Sequence, residues 1–336
     1  MYADAAERPY MKILVVSGFL GAGKTTFIKS LAEHTGKEFA ILENEYGEVG
    51  IDGDLLKEQQ KVGEVNIWEL TEGCICCSMK GDFAASVLTI ANTVDPEYLV
   101  IEPTGVGMLS NIAENLRQIE YERISLLAPV TIVDGRSFWQ YLREYPEIYQ
   151  DQIRAAKTVL VSKMESASPE ERLKLERELR KQNPSGVIRT EHYSKMEKEE
   201  WLDLLRQKYD GTCLEERKEE TAELPDTFSM NGIQMDSPEL LIVLLENLIH
   251  GQFGNIVRAK GCIQAGGQWF RFDAADGRYS IIGADDAGNT ESGKAVFIGR
   301  EICRQKIRRY FVKKRMRIRM GQKTVSRGKE YQWFTE

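Results

Sequence analysis

The sequence predicts an α/β protein with a mostly parallel sheet covered by helices on both faces, followed by a smaller α+β domain. Three observations carry that expectation. Short β-branched apolar runs alternate with stretches of helical period from residue 12 to residue 190. A glycine-rich loop joins the first such run to the first helical stretch. A charged segment poor in apolar residues, 214–226, separates this alternation from a block in which strand-like runs follow one another directly.

In chain order, residues 12–17 (KILVVS) read as a strand, and 26–35, with Phe27, Ile28 and Leu31 on one face, as a helix. Further strands are expected at 39–42, 65–68, 98–101, 129–133, 158–161 and 187–190, with helices at 82–93 and 109–119. Ser168, Pro169 and Glu171 form a capping-box signature that opens a helix to about residue 182, and a charged helix carries Trp201, Leu202 and Leu205. Beyond the linker, a strand is expected at 227–230. Ser237-Pro238-Glu239 opens an apolar helix over 240–249, and strands follow at 255–264, 268–273, 278–282 and 295–299 before a last helix from Arg300. The chain thus divides into an N-terminal extension (1–10), a first domain (11–213), a linker (214–226), a second domain (227–315) and a basic tail (316–336).

Composition narrows the class. Of 336 residues, 42% are hydrophobic and 29% charged, and no run approaches the ~18 apolar residues of a membrane helix. Residues 1–10 carry Asp4, Glu7 and Arg8 and lack the apolar core of a signal peptide, so a cytoplasmic protein with no membrane partner is expected. Net charge is −7, yet residues 301–336 hold 12 Lys and Arg against 3 Glu. Ile302, Ile307, Tyr310 and Phe311 interleave with these bases, which favours an amphipathic helix with a solvated face over contact with nucleic acid. The six cysteines do not form a disulfide framework: three crowd at 74, 76 and 77 and three scatter at 213, 262 and 303.

The loop Gly18-Phe19-Leu20-Gly21-Ala22-Gly23-Lys24-Thr25 has the Walker A form and sits between a predicted strand and a predicted helix. Its glycines let successive backbone N–H groups turn toward phosphates, and the helix adds its positive end. Gly18, Gly21, Ala22, Gly23, Lys24, Thr25 and Thr26 are the expected nucleotide-binding residues. Lys24 is expected to reach the β- and γ-phosphates and Thr25 to place its hydroxyl on Mg²⁺. At 102–105 the string Glu-Pro-Thr-Gly closes an apolar run in the E-x-x-G form of a Walker B acid with a γ-phosphate sensor. Glu102 is expected to hold Mg²⁺ through water and the Gly105 N–H to feel the γ-phosphate.

Cys74, Cys76 and Cys77 suit Zn²⁺ or another thiophilic ion, for which thiolate is the soft ligand. Adjacent cysteines point apart in an extended chain, so a tetrahedron requires ligands from elsewhere, and Glu43 and Glu48 on the preceding acidic loop are the candidates. A redox pair and simple packing of small thiols are the alternatives. With only His34, His192 and His250, a histidine-rich metal store is excluded.

GFLGAGKTT (18–26), ENEYGEVGIDGDLL (43–56), TEGCICCSMK (71–80) and IEPTG (101–105), in this order and spacing, resemble the CobW family of P-loop GTPases, which includes zinc metallochaperones. The resemblance extends to APVTIVDG ending after Asp134. It continues into the second domain at LIHGQFGNIVRAKGCI, around an Arg-x-Lys-Gly turn at Arg258 to Gly261, and spans about residues 11–315. It implies a P-loop NTPase fold, GTP/GDP and Mg²⁺ as ligands, and a metal held by Cys74, Cys76 and Cys77 with help from Glu43 and Glu48. It also implies linkage between nucleotide state and metal affinity. Guanine specificity in such proteins comes from an Asn-Lys-x-Asp loop, matched here by Ser162-Lys163-Met164-Glu165. Glu165 can still accept the two guanine N–H groups but is one methylene longer, and Ser162 replaces a side-chain amide, so this loop alone does not separate GTP from ATP. The function expected is a slowly hydrolysing GTPase that delivers Zn²⁺, or Co²⁺, to a client metalloprotein. The alternatives are a small-molecule kinase with structural cysteines and a nucleotide-dependent metal sensor or scaffold without turnover.

Overall fold

The computed structural model describes residues 11–43, 66–69, 87–92, 94–121, 123–211, 225–284 and 293–313. Strand β1 (Met11–Ser17) lies near the middle of the first sheet and pairs in parallel with β4 (Tyr98–Glu102), β5 (Ile124–Leu126) and β6 (Val130–Asp134). With β2 (Ala40–Glu43), β3 (Asn66–Glu69), β7 (Thr158–Ser162) and β8 (Val187–Arg189), the order is β3-β2-β4-β1-β6-β7-β8, with β5 alongside β1. Every recorded pair in this sheet is parallel, as strands buried on both faces require.

The two faces follow from the period of two along each strand. Ile13 and Val15 of β1, with Leu99 and Ile101 of β4, face one core, which is closed by α2 (Leu109–Arg117), α3 (Phe138–Glu144), α4 (Pro146–Arg154) and α5 (Pro169–Gln182). Leu14, Val16 and Val100 face the other, closed by α1 (Lys24–Thr35) and α6 (Lys198–Leu204). There Trp201 is wholly buried, its ring 5.4 Å from Phe27 and 4.8 Å from His34. Helix α5 begins with the expected capping box: the Glu171 N–H donates to Ser168 Oγ (3.2 Å) and the Ser168 N–H to Glu171 Oε2 (2.8 Å). Replacing Ser168 with alanine is expected to lower stability by about 1 kcal/mol, read as a shifted urea midpoint at constant slope. An unchanged midpoint would show that the cap contributes nothing to the folded state.

The second sheet has the order β12-β11-β10-β13-β9-β14, built from β9 (Asp226–Met235), β10 (Asn255–Ala265), β11 (Gln268–Ala275), β12 (Arg278–Ala284), β13 (Gly293–Arg300) and β14 (Val312–Lys313). Helix α7 (Pro238–Ile249) packs Leu241, Leu244, Leu245 and Leu248 against Phe228, Phe272 and Phe297. Val257, Val296 and Ile298 instead join the core of the first sheet, so the second unit is seated on the first through apolar side chains.

Two expectations are corrected. The Arg258–Gly261 segment is not a turn but part of β10, in register with Ala275 to Phe272 of β11. The last helix does not begin at Arg300, because β13 pairs through that residue with Asn255. The helix that follows is the short α8 (Arg304–Arg308), and Tyr310 and Phe311 pack on the second core. Helices α3 and α4, and strand β5, lie where the sequence reading named no element. Among the described residues, no helix is long and apolar enough to cross a membrane.

Candidate functional site

The glycine loop leaves the carboxyl end of β1 and turns into α1 at Lys24. At Gly18 (φ 144°) a Cβ would stand 2.3 Å from the Ile132 carbonyl oxygen, so only glycine lets the loop pass β6. Phe19 is buried and anchors the loop, its ring centroid 4.5 Å from that of Tyr141 and 5.2 Å from that of Tyr145. The buried Lys24 ammonium arches back over the loop, donating to the Gly18 carbonyl (3.2 Å) and lying 3.9 Å from Glu102 Oε1. Thr25 Oγ1 donates to the Glu102 carboxylate, 3.0 Å from both oxygens. Thr26 is exposed at the next position. An open glycine cradle, a lysine ammonium above it and a hydroxyl–carboxylate pair of hard oxygen donors beside it fit a triphosphate with Mg²⁺.

The turn after Glu102 is held from two sides. A Cβ on Gly105 would lie 2.5 Å from the Leu20 backbone nitrogen, so this turn rests directly on the phosphate loop. From the other side the fully buried Gln152 of α4 donates Nε2 to the Gly105 (3.0 Å) and Gly107 (2.8 Å) carbonyls. Asp151 Oδ2 accepts the Ser110 N–H at 3.1 Å, in the first turn of α2. Sequence reasoning missed both residues because it missed α4. Pro146 at its first turn with Glu147 beside it was the available signal.

At the end of β7, the buried Ser162 hydroxyl donates to the Ala22 carbonyl of the phosphate loop (2.8 Å), a tie of the kind a side-chain amide makes. Lys163 takes a left-handed backbone (φ 59°) and sends its ammonium to Asp134 Oδ2 at 2.6 Å and Asp276 Oδ2 at 3.4 Å. Asp276 also accepts from the Tyr141 hydroxyl. Burial pushes the Asp134 carboxyl above the ordinary aspartate range, with Lys163 opposing it. Burial acts in the same sense on Asp276, but hydrogen bonds from Tyr141 and Ser137 and the Lys163 charge hold it below. Glu165 is exposed, 3.7 Å from His192 Nε2 and 4.0 Å from Arg136 Nη2.

Of the metal-ligand candidates, Glu43 ends β2 in register with Glu102 of β4 on one side and Glu69 of β3 on the other. Glu48, Cys74, Cys76 and Cys77 lie outside the described residues. Among the described residues, no group of three or more His, Cys, Asp and Glu side chains is arranged for a metal, and Cys303 is a free thiol.

A parallel sheet with a Walker A loop after its first strand and a carboxylate at the end of β4 facing the loop threonine defines a P-loop nucleotide-binding protein. Residues 12–189 match the CobW/HypB/UreG nucleotide-binding domain, and residues 232–314 the cobalamin synthesis protein CobW C-terminal domain. The chain belongs to the CobW/HypB/UreG family. It is 35% identical over 166 residues to the zinc chaperone YeiR of Escherichia coli (strain K12), covering 48% of this chain and 49% of YeiR. It is 27% identical over 320 residues to the zinc chaperone YjiA of the same strain, covering 89% and 97%. A zinc-regulated GTPase metalloprotein activator 1 of Dictyostelium discoideum is 30% identical over 204 residues, 49% of this chain and 42% of that protein. The chain spans about half the length of the first of these relatives. The solved Zn(II)-bound YjiA GTPase from E. coli matches at TM-score 0.42 and 24% identity over 90% of this chain and 98% of that one.

Proposed function

We propose that this chain is a cytoplasmic, GTP-binding and slowly GTP-hydrolysing metallochaperone that carries Zn(II), or Co(II), on Cys74, Cys76 and Cys77 with Glu43 and Glu48, and passes it to a client metalloprotein. The observation that carries the reading is the alignment of three strand ends. Glu69, Glu43 and Glu102 stand in register on β3, β2 and β4. Residues 43 and 69, after which the sequence continues into the acidic loop and the cysteine string, therefore end their strands level with the residue whose carboxylate meets Thr25. Cys74 follows Glu69 by five residues, a reach of up to about 17 Å, and β3 lies two strand spacings, about 10 Å, from β4. The names of the relatives, zinc chaperones and a zinc-regulated GTPase metalloprotein activator, support the cargo.

In this reading Lys24 neutralises phosphate charge, Thr25, and Glu102 through water, would hold a Mg²⁺ whose charge offsets that of the phosphates, and Gly105 senses the γ-phosphate. Ser162, Lys163 and Glu165 take the guanine base. Slow turnover follows from the absence of arginine in residues 44–86, where a charge-stabilising guanidinium would have to sit in a switch segment. The test is a Zn²⁺ competition titration against a chromophoric chelator, without nucleotide, with GDP and with a nonhydrolysable GTP analogue. Metal affinity is expected to differ at least about tenfold between the GDP and GTP-analogue states, and Cys76→Ser to weaken it by about a hundredfold or more. Equal affinity in all nucleotide states would overturn the coupling, and an unaffected Cys76→Ser would overturn the site.

A further inference from the structure

The turn between β11 and β12 is a two-residue Asp276-Gly277 hairpin, with φ of 55° and 66°, the paired left-handed geometry of a type I′ turn. This tip of the second unit does not face solvent. Asp276 is 15% exposed and meets both Lys163 and Tyr141 of the first unit. Its neighbour Ala275 would lie 3.5 Å from a Cβ on Gly21 of the phosphate loop, and Arg258 Nη1 would stand at the same distance. Arg258 is itself ion-paired to Asp273 near the end of β11 (2.9 Å). The Arg300 guanidinium lies 4.7 Å from the Tyr145 ring centroid, and Asn255 Nδ2 donates to Glu144 at 3.3 Å, so the hairpin rests on a docked interface rather than reaching across a gap.

We infer that Asp276 is a positioning residue of the nucleotide site, through which the second domain sets the nucleotide affinity of the first; this rests on the reading of Lys163 as a base-binding lysine. A lysine stem loses rotamer freedom when a base packs on it. Here the ammonium is already fixed between two carboxylates, Asp134 from its own sheet and Asp276 from the second domain. That fixation lowers the ordering cost of binding, the usual way preorganisation raises affinity. Linkage makes the effect reciprocal: nucleotide tightens the docking of the hairpin, and a partner that draws the second domain away loosens the nucleotide. Neither requires the second domain to touch the nucleotide.

Binding of N-methylanthraniloyl-GDP to the full chain tests this, with wild type, Asp276→Asn, Tyr141→Phe, Lys163→Met and the double variant Asp276→Asn/Lys163→Met. Asp276→Asn is expected to raise Kd about tenfold and Tyr141→Phe about threefold, while Asp276→Asn in the Lys163→Met background shifts Kd by less than about twofold. A merely structural aspartate would weaken binding equally in both backgrounds, which overturns the inference. So does an Asp276→Asn protein of unchanged Kd. If Lys163→Met binds as wild type, the base-site reading falls and the inference with it. Should Asp276→Asn fail to give a cooperative melt, Tyr141→Phe, alone and combined with Lys163→Met, carries the same comparison. GDP is further expected to slow amide exchange at 273–279, and unchanged exchange there would remove the reciprocal half.

Discussion

Lys24→Ala is expected to lower GTP hydrolysis by about a hundredfold to a thousandfold, the usual loss when one donor to developing transition-state charge is removed. The ammonium is buried, spans the loop to the Gly18 carbonyl and stands 3.9 Å from Glu102, so alanine removes the positive charge held over the glycine loop. The same variant is expected to lose the rise in melting temperature that saturating GDP gives the wild type, since a ligand stabilises only as far as it binds. Single-turnover hydrolysis and thermal melts with and without GDP check both halves. A variant that keeps wild-type turnover would mean that the glycine loop is not the phosphate site.

Gly105→Ala is expected to act nearly as strongly by a steric route. The added methyl group would stand 2.5 Å from the Leu20 nitrogen and 2.8 Å from its Cα, and backbone cannot rotate away as a side chain can. Gln152 prevents the turn from retreating, because its amide already holds the Gly105 and Gly107 carbonyls. Overpacking of this kind costs about 1–3 kcal/mol of stability, and a displacement of about 1 Å at a reacting centre costs about a hundredfold in rate. The measurements are a denaturant midpoint and kcat for GTP. Wild-type values of both would show that the turn and the phosphate loop move independently.

Much of the fold was legible because its signals are local. The strand–loop–helix at 11–35 announced itself by β-branched residues, glycines and the spacing of Phe27, Ile28 and Leu31, and those side chains do face the second core of the first sheet. The strands of the second sheet fall within a few residues of their expected places, except β9, which runs on to Met235, and β14, which lies where a helix is expected. Helices α3 and α4 escaped because their buried faces mix Phe138, Ile148 and Ile153 with Tyr141, Tyr149, Asp151 and Gln152, whose polar groups blur an apolar stripe. Strand β5 is three residues long, too short for alternation to register.

The site divided in the same way. Lys24, Thr25 and Glu102 meet as their motifs imply, and Ser162 reaches the phosphate loop although it is not an asparagine. The Asp-Gly pair at 276–277 could be read as a hairpin, but nothing local in the sequence says which surface the hairpin meets. Its contact with Lys163 joins residues 113 positions apart and depends on how the two sheets dock. Long-range juxtaposition of that kind is a property of tertiary packing alone.

The anchoring of Phe19 among the tyrosine rings bears on kinetics. A phosphate loop whose second residue is already buried arrives at each encounter with its turn formed, so little ordering remains to be done after contact. Association with nucleotide is then governed by collision and charge rather than by loop folding, and differences in affinity among variants of this loop fall mainly on the dissociation rate. Occupancy of the site is therefore a matter of how long a nucleotide stays.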